Sequence, residues 1–388
     1  MISIILIDDK KNWKNLLPFT YTKPICYLRF GILTIKEKWE KHLNAKVEIS
    51  TESYLNDMFP NFSGENAIYV TSIVCPDKSL LNQLQNLNEG EGLFYKDELI
   101  ALNGSKQNFI EKKCVAKQIE APPLMIHHVW DLFQKNSFGI NFDFELLTNG
   151  KTSEKLSESN TVIGDTNLVF LEKGAKAEAC IFNTSNGPIY LAKNSEVMEG
   201  SVIRGPFSLG ESSVLKLSTK IYGATTIGPQ CKVGGEVNNS VIFGYTNKAH
   251  DGFLGNSVLG EWCNLGADTN NSNLKNNYGN VKLYNYLQGK MIDTGLQFCG
   301  LMMGDYSKSG INTMFNTGTV VGVGVNVFGG GFPSSYIPNF SWGGSEGFEV
   351  YDLAKLIETN KRVYERRQME FGEKETKLLQ HVLKISLE

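Results

Sequence analysis

Apolar residues recur every six positions through the middle of this chain, at Leu191, Val197, Ile203, Leu209, Leu215, Ile221, Ile227 and Val233. A helix repeats every ~3.6 residues and a half-buried strand every ~2, so a period of six belongs to neither. It fits a parallel β-solenoid whose coils are short strands joined by tight corners. In such a coil the apolar residue points to the axis and stacks on its counterpart one coil away. Ile163 and Val169 begin an earlier run of the same spacing, and Leu259 and Leu265 continue a later one. Gly164, Gly210, Gly228, Gly260 and Gly266 each follow one of these apolar positions, where a residue without Cβ lets the corner turn. So regular a phase exceeds what a chain of 41% hydrophobic composition gives by chance. The spacing does not fix handedness; the general rule for parallel crossovers alone would give a right-handed coil.

Upstream, residues 1–135 alternate short strand-like runs with helical stretches. Residues 2–7 read as a buried strand ended by Asp8 and Asp9, and 32–43 as an amphipathic helix. Residues 47–49 and 67–70 are further strands, 77–87 and 125–135 further helices, and 94–101 a small hairpin. This alternation favours an α/β layer domain over 1–150, with the polar stretch 148–161 as connector. The solenoid domain then spans 151–345. It ends in a glycine-rich loop from Gly329, and a charged helical tail, 346–388, follows.

Charge narrows the function. The net charge of −3 gives no bulk attraction to nucleic acid or anionic membrane, so neither is expected as a partner. Seven cysteines without a CxxC pair suit reduced thiols in a cytoplasmic setting. The apolar opening is too short for a signal peptide or membrane span and lacks a basic flank.

The repeat run resembles the left-handed β-helix of the hexapeptide acyltransferases. The stretch Lys248-Ala-His-Asp-Gly-Phe-Leu-Gly255, then Val258-Leu-Gly-Glu-Trp-Cys-Asn-Leu-Gly-Ala267 and Asn273, is most similar to the acetyltransferase half of the bifunctional glucosamine-1-phosphate acetyltransferase/N-acetylglucosamine-1-phosphate uridyltransferase family. The phrases TYTKPICYLRFGILTIKEKW and GGGFPSSYIPNFSWGG resemble a variant bacterial branch with a shortened sugar-nucleotidyltransferase-like N-terminal domain. The left hand, a homotrimer, acetyl-CoA as acyl donor and a sugar phosphate as acceptor are all implications of this resemblance.

It also implies site residues. N-acetyl transfer needs a base to take the amine proton as nitrogen attacks the thioester, and histidine suits that work. His250 takes that place, with Glu236, two coils earlier, orienting the ring; alternatively His250 satisfies a corner hydrogen bond. Asn264 and Asn273 would position the substrate, or else occupy left-handed corners, as Asn276 and Asn277 are expected to do. Ala267 would meet the acyl donor. Lys220 and Arg204 would hold the phosphate, or else be solvated surface charge. The family's substrate lysine aligns with Asn238 and its tyrosines with Phe253 and Leu274, so the acceptor is a different amino sugar or its phosphate falls to Arg204 or Lys282. In the first domain the glycine-rich phosphate loop of active nucleotidyltransferases is missing after the first strand. Lys23 and Arg29 are candidate nucleotide contacts there. Asp8 or Asp9 is a candidate Mg²⁺ ligand, or simply a turn. Two further readings stay open: a sugar-1-phosphate nucleotidyltransferase with the β-helix as a trimerisation platform, and a non-catalytic solenoid that binds sugar or protein.

Overall fold

The computed structural model describes residues 3–62, 64 and 66–387. The chain forms two compact units. The first comprises Met1–Leu16, Thr22–Leu28 and Leu33–His128; the second comprises Leu17–Tyr21, Arg29–Ile32 and Val129–Glu388.

In the first unit, strands β1 (Ile4–Ile7), β2 (Glu48–Ser50), β3 (Asn66–Thr71), β4 (Glu91–Tyr95), β5 (Glu98–Ser105) and β6 (Val115–Gln118) form one sheet in the order β2-β1-β3-β5-β4-β6. β1 runs parallel to both neighbours, whereas β5 is antiparallel to β3 and β4. Every residue of β1 is buried, which explains its uninterrupted aliphatic run. Helices α1 (Lys10–Asn15), α2 (Ile35–Leu43), α3 (Lys78–Gln85) and α4 (Lys106–Glu111) connect the strands. The expected 32–43 helix starts at Ile35 because Thr34 caps it, with Glu37 closing a capping box. The 94–101 hairpin is the β4–β5 pair, extended in both directions.

The second unit is a parallel solenoid. Its first face runs from Thr161–Ile163 to Phe253–Gly255, its second from Val169–Leu171 to Tyr336–Ile337 and its third from Lys176–Ala177 to Ser341–Gly344, where Gly347–Val350 adds antiparallel as a hairpin. All eight phased residues from Leu191 to Val233 lie in one continuous core, together with Leu259 and Leu265. Leu191, Leu209 and Ile227 stack in direct register on successive coils, as the period requires. The glycines after the phased positions serve close approach between coils: a Cβ on Gly210 or Gly266 would meet the backbone of the next coil.

The earlier run is off phase. Ile163 is 48% exposed, and Val162 is the residue that packs inward. Leu171, not Val169, stands in line with Leu191. The 125–135 helix is also corrected. Met125 bridges to Val74, and only α5 (Asp131–Gln134) is helical before the 13-residue α6 (Asn136–Thr148). α6 lies against the second face, where Asn136 accepts from Gly31 N at 2.6 Å and Thr226 Oγ1 at 3.0 Å and donates to Ala224 O at 2.8 Å. Asp143 accepts from Ile32 N at 2.8 Å. Gly31, at φ +71°, approaches Gly139 so closely that a Cβ would stand 2.6 Å from its carbonyl carbon.

The tail folds as α7 (Leu353–Glu365) and α8 (Glu373–Leu387). α7 packs on a solenoid corner, where Tyr364 stacks on Trp262 with centroids 3.8 Å apart and Trp262 stacks on Tyr245. Among the described residues no helix is long and apolar enough to cross a membrane.

Candidate active site at a solenoid corner

His250 sits where the third face turns into the first, between strands Asn247–Lys248 and Phe253–Gly255. The corner is clamped from both sides. Gly235 of the preceding coil has φ +73°, and a Cβ there would stand 2.8 Å from Asp251 Cα and 3.0 Å from His250 O. Gly252, at φ +118°, presses on the Thr269 backbone of the following coil. Left-handed geometry plus close contact leaves room only for glycine at both positions. A cavity of about 300 Å³ opens here, lined by Gly234, Gly235, Ala249, His250, Asp251 and Ala267 among others. The His250 side chain is exposed, and its ring makes no hydrogen bond to the described residues.

The expected site residues divide into pairs. His250 and Ala267 share the cavity. Glu236 lies one coil before His250, not two, since its strand pairs directly with Phe253–Gly255. Its carboxylate accepts from Tyr222 Oη at 2.6 Å and faces Lys220 Nζ at 3.6 Å, so it orients those groups rather than the imidazole. Partial burial and this carboxylate push the Tyr222 phenol up to about 12. Arg204 is exposed on the strand beside that of Lys220. Asn264 Oδ1 accepts from Asn247 Nδ2 at 2.8 Å, and Asn273 Nδ2 donates to Asn256 Oδ1 at 2.8 Å. Neither Asn264 nor Asn273 adopts positive φ, nor do Asn276 and Asn277; the left-handed corners are Asn239, Asn256, Trp262, Asp268 and others. Lys282 stands apart, on the hairpin strand Lys282–Asn285.

The candidates of the N-terminal region have structural partners. Lys23 is buried within the first unit, whereas Arg29 belongs to the second and donates from Nη1 to Ile32 O. Asp9 caps α1, accepting from Asn12 N at 2.9 Å. Asp8 is half-buried and accepts from Thr51 Oγ1 at 2.6 Å and Ile25 N at 3.2 Å. Burial pushes its carboxyl up to about 6 against those hydrogen bonds. No group of three or more His, Cys, Asp or Glu side chains suited to a metal occurs among the described residues. Both of these Asp8 bonds fall on Oδ2, and Asp8 Oδ1 has no hydrogen-bond partner among the described residues, whereas Asp9 is held at the helix cap.

Two features escaped sequence reasoning. One is Lys248, which is 2% exposed and points into the solenoid. The other is a cavity of about 840 Å³ in the first unit, at the carboxyl ends of β1 and β3. Lys10, Lys11, Lys96, Lys112 and His127 line it together with Asp8, Asp9, Asp97 and Glu98. Carboxyl ends of strands are where open α/β sheets bind ligands, but these lysines form no recognisable spacing in sequence.

The class that this architecture defines is a nucleotidyltransferase-like domain joined to a β-solenoid: residues 4–152 match the sugar nucleotidyl transferase family. Among individual proteins, the bifunctional protein GlmU of Synechococcus elongatus is 28% identical over 165 residues, 40% of this chain and 32% of that protein. GlmU of a second Synechococcus strain matches equally. The chain therefore spans about a third of the length of the curated relatives it matches. Among solved structures, the polySia-specific acetyltransferase NeuO is similar over 55% of this chain and 99% of its own, at 13% identity and a TM-score of 0.30. Arabidopsis UDP-N-acetylglucosamine acyltransferase is similar over 53% and 77%, at 16% identity and a TM-score of 0.25.

Proposed function

We propose that this protein is an enzyme that transfers an acetyl group from acetyl-CoA to the amine of an amino-sugar 1-phosphate, with His250 as general base. The observation that carries this reading is an exposed imidazole with no partner on its ring among the described residues, at the mouth of a cavity it shares with Ala267. In the reaction the amine nitrogen bonds to the thioester carbonyl carbon and the carbon–sulfur bond breaks. His250 takes the amine proton and returns it to the departing thiolate. Lys220 is already paired with Glu236, whose charge would repel a phosphate, so Arg204 is the better phosphate contact.

The test is free-thiol release from acetyl-CoA with a panel of amino-sugar 1-phosphates. Release dependent on one member of the panel is expected. No release with any of them would sink the reading and leave a solenoid that binds without catalysing. Nucleotidyl transfer is a second activity, favoured by the cavity at the carboxyl ends of β1 and β3 in the region matched by the family model. Pyrophosphate release from nucleoside triphosphates, run on the same panel, checks it. The reading includes a homotrimer, which light scattering giving a monomer mass at micromolar concentration would remove.

A further inference from the structure

Down the third face, the inward positions of successive coils are Leu215, Val233, Lys248 and Leu265. One of these is a cation. Lys248 is 2% exposed, and its Nζ donates to the backbone carbonyl of His250 at 2.7 Å. Burial lowers its ammonium to about 8, with the Asp251 and Asp268 carboxylates acting in the opposite direction. The preceding coil presents Gly234 and Gly235 at this corner, with Lys216 of the coil before it packed against Gly234. An apolar side chain of similar volume would usually stabilise such a position more than a buried charge does. The lysine therefore needs a reason other than packing.

The ring of His250 supplies one. A general base is normally oriented by a partner on its second nitrogen, and Glu236, the candidate for that task, is engaged with Tyr222 and Lys220. The direction in which the ring leaves the corner is then set by the backbone, whose next residue but one is the glycine Gly252. We infer that Lys248 is a positioning residue for His250, anchoring its carbonyl from inside the coil and so fixing the exit vector of the imidazole. This inference rests on the acetyl-transfer reading.

Lys248→Met tests it, because methionine keeps the length and loses the donor. The melting temperature is expected to stay level or rise. In the thiol-release assay kcat should fall about ten-fold or more, with KM for acetyl-CoA unchanged, since a misplaced base costs rate rather than binding. An unchanged kcat overturns the inference, and so does a loss of rate that only tracks a loss of folded protein. Should Lys248→Met fail to fold, Lys248→Leu, the residue of the following coil, is measured in the same way. If the wild-type protein releases no thiol, the acetyl-transfer reading fails by itself. The His250 ring-proton resonance, compared between wild type and variant, then decides the positional link. A displaced resonance upholds it, and an unmoved one overturns it.

Discussion

His250→Ala should give a folded protein that turns over about two to four orders of magnitude more slowly. The side chain is exposed and its ring makes no hydrogen bond to the described residues, so truncation removes neither buried area nor a buried partner. Surface changes of that kind usually alter stability by only about 0.5 kcal/mol. The His250 carbonyl that Lys248 holds is backbone and survives the substitution. Affinity for acetyl-CoA should change little, because the base meets the amine and not the pantetheine arm. A corner histidine kept for structure predicts the opposite pattern, a lower melting temperature with a modest loss of rate. Wild type and variant are compared on the same amino-sugar phosphate, with melting and acetyl-CoA affinity followed alongside. Full turnover in a well-folded variant would remove the mechanism, and the binding solenoid would then lead.

The solenoid was legible because each coil makes the same demand at the same place. An inward residue must be apolar, and eighteen residues later it meets its own kind, as Leu209 meets Ile227. That regularity fails from Ile221 onward: Ile221 meets Val237 sixteen residues on, Ile227 meets Ile242 fifteen on, and Val233 meets Lys248 fifteen on. The shortened coil moves the phase, so a lysine at an inward position reads as an ordinary surface charge. A phase restarted at Ile242 would have exposed it. At the other end, Ile163 misleads because it stands in register with Asn183 and Arg204 on the outward side of the first face, while Val162 takes the inward place.

Helix α6 was hidden for a different reason. Its buried face includes Asn136, Gly139 and Asp143, while Phe138 is 57% exposed. The usual sign of burial is inverted, since the polar side chains meet backbone amides of Gly31 and Ile32 that need acceptors. The same pairing explains why Arg29-Phe30-Gly31 stands out in the sequence: it is a docking segment for α6. The candidate site was legible only in part. His250 and Ala267, both singled out by similarity along the chain, line one cavity. The engagement of Glu236 by Tyr222 and Lys220 depends on strand register, which a single coil of sequence does not reveal.

Leu209→Asp should abolish the folded solenoid, or lower its melting temperature by roughly 10–20 °C or more. Leu209 is fully buried between Leu191 and Ile227. Removing the leucine side chain alone costs about 2–5 kcal/mol in a core. Placing a carboxylate there adds several kcal/mol, because Leu209 lies in the solenoid's apolar core, stacked on Leu191 and Ile227. Against a typical domain stability of about 5–15 kcal/mol, the sum is decisive. Lys248 does not contradict this. Its four-carbon stem reaches the corner carbonyl of His250, whereas an aspartate one carbon long stays on the axis. The sign of the pH effect follows. A carboxyl buried without partners binds its proton more tightly folded than unfolded, so the variant should recover stability as pH falls. Melting curves of wild type and variant at neutral pH and near pH 5 check both parts. An unchanged melting temperature at neutral pH would mean that Leu209 does not face the axis, and the six-residue phase would be wrong.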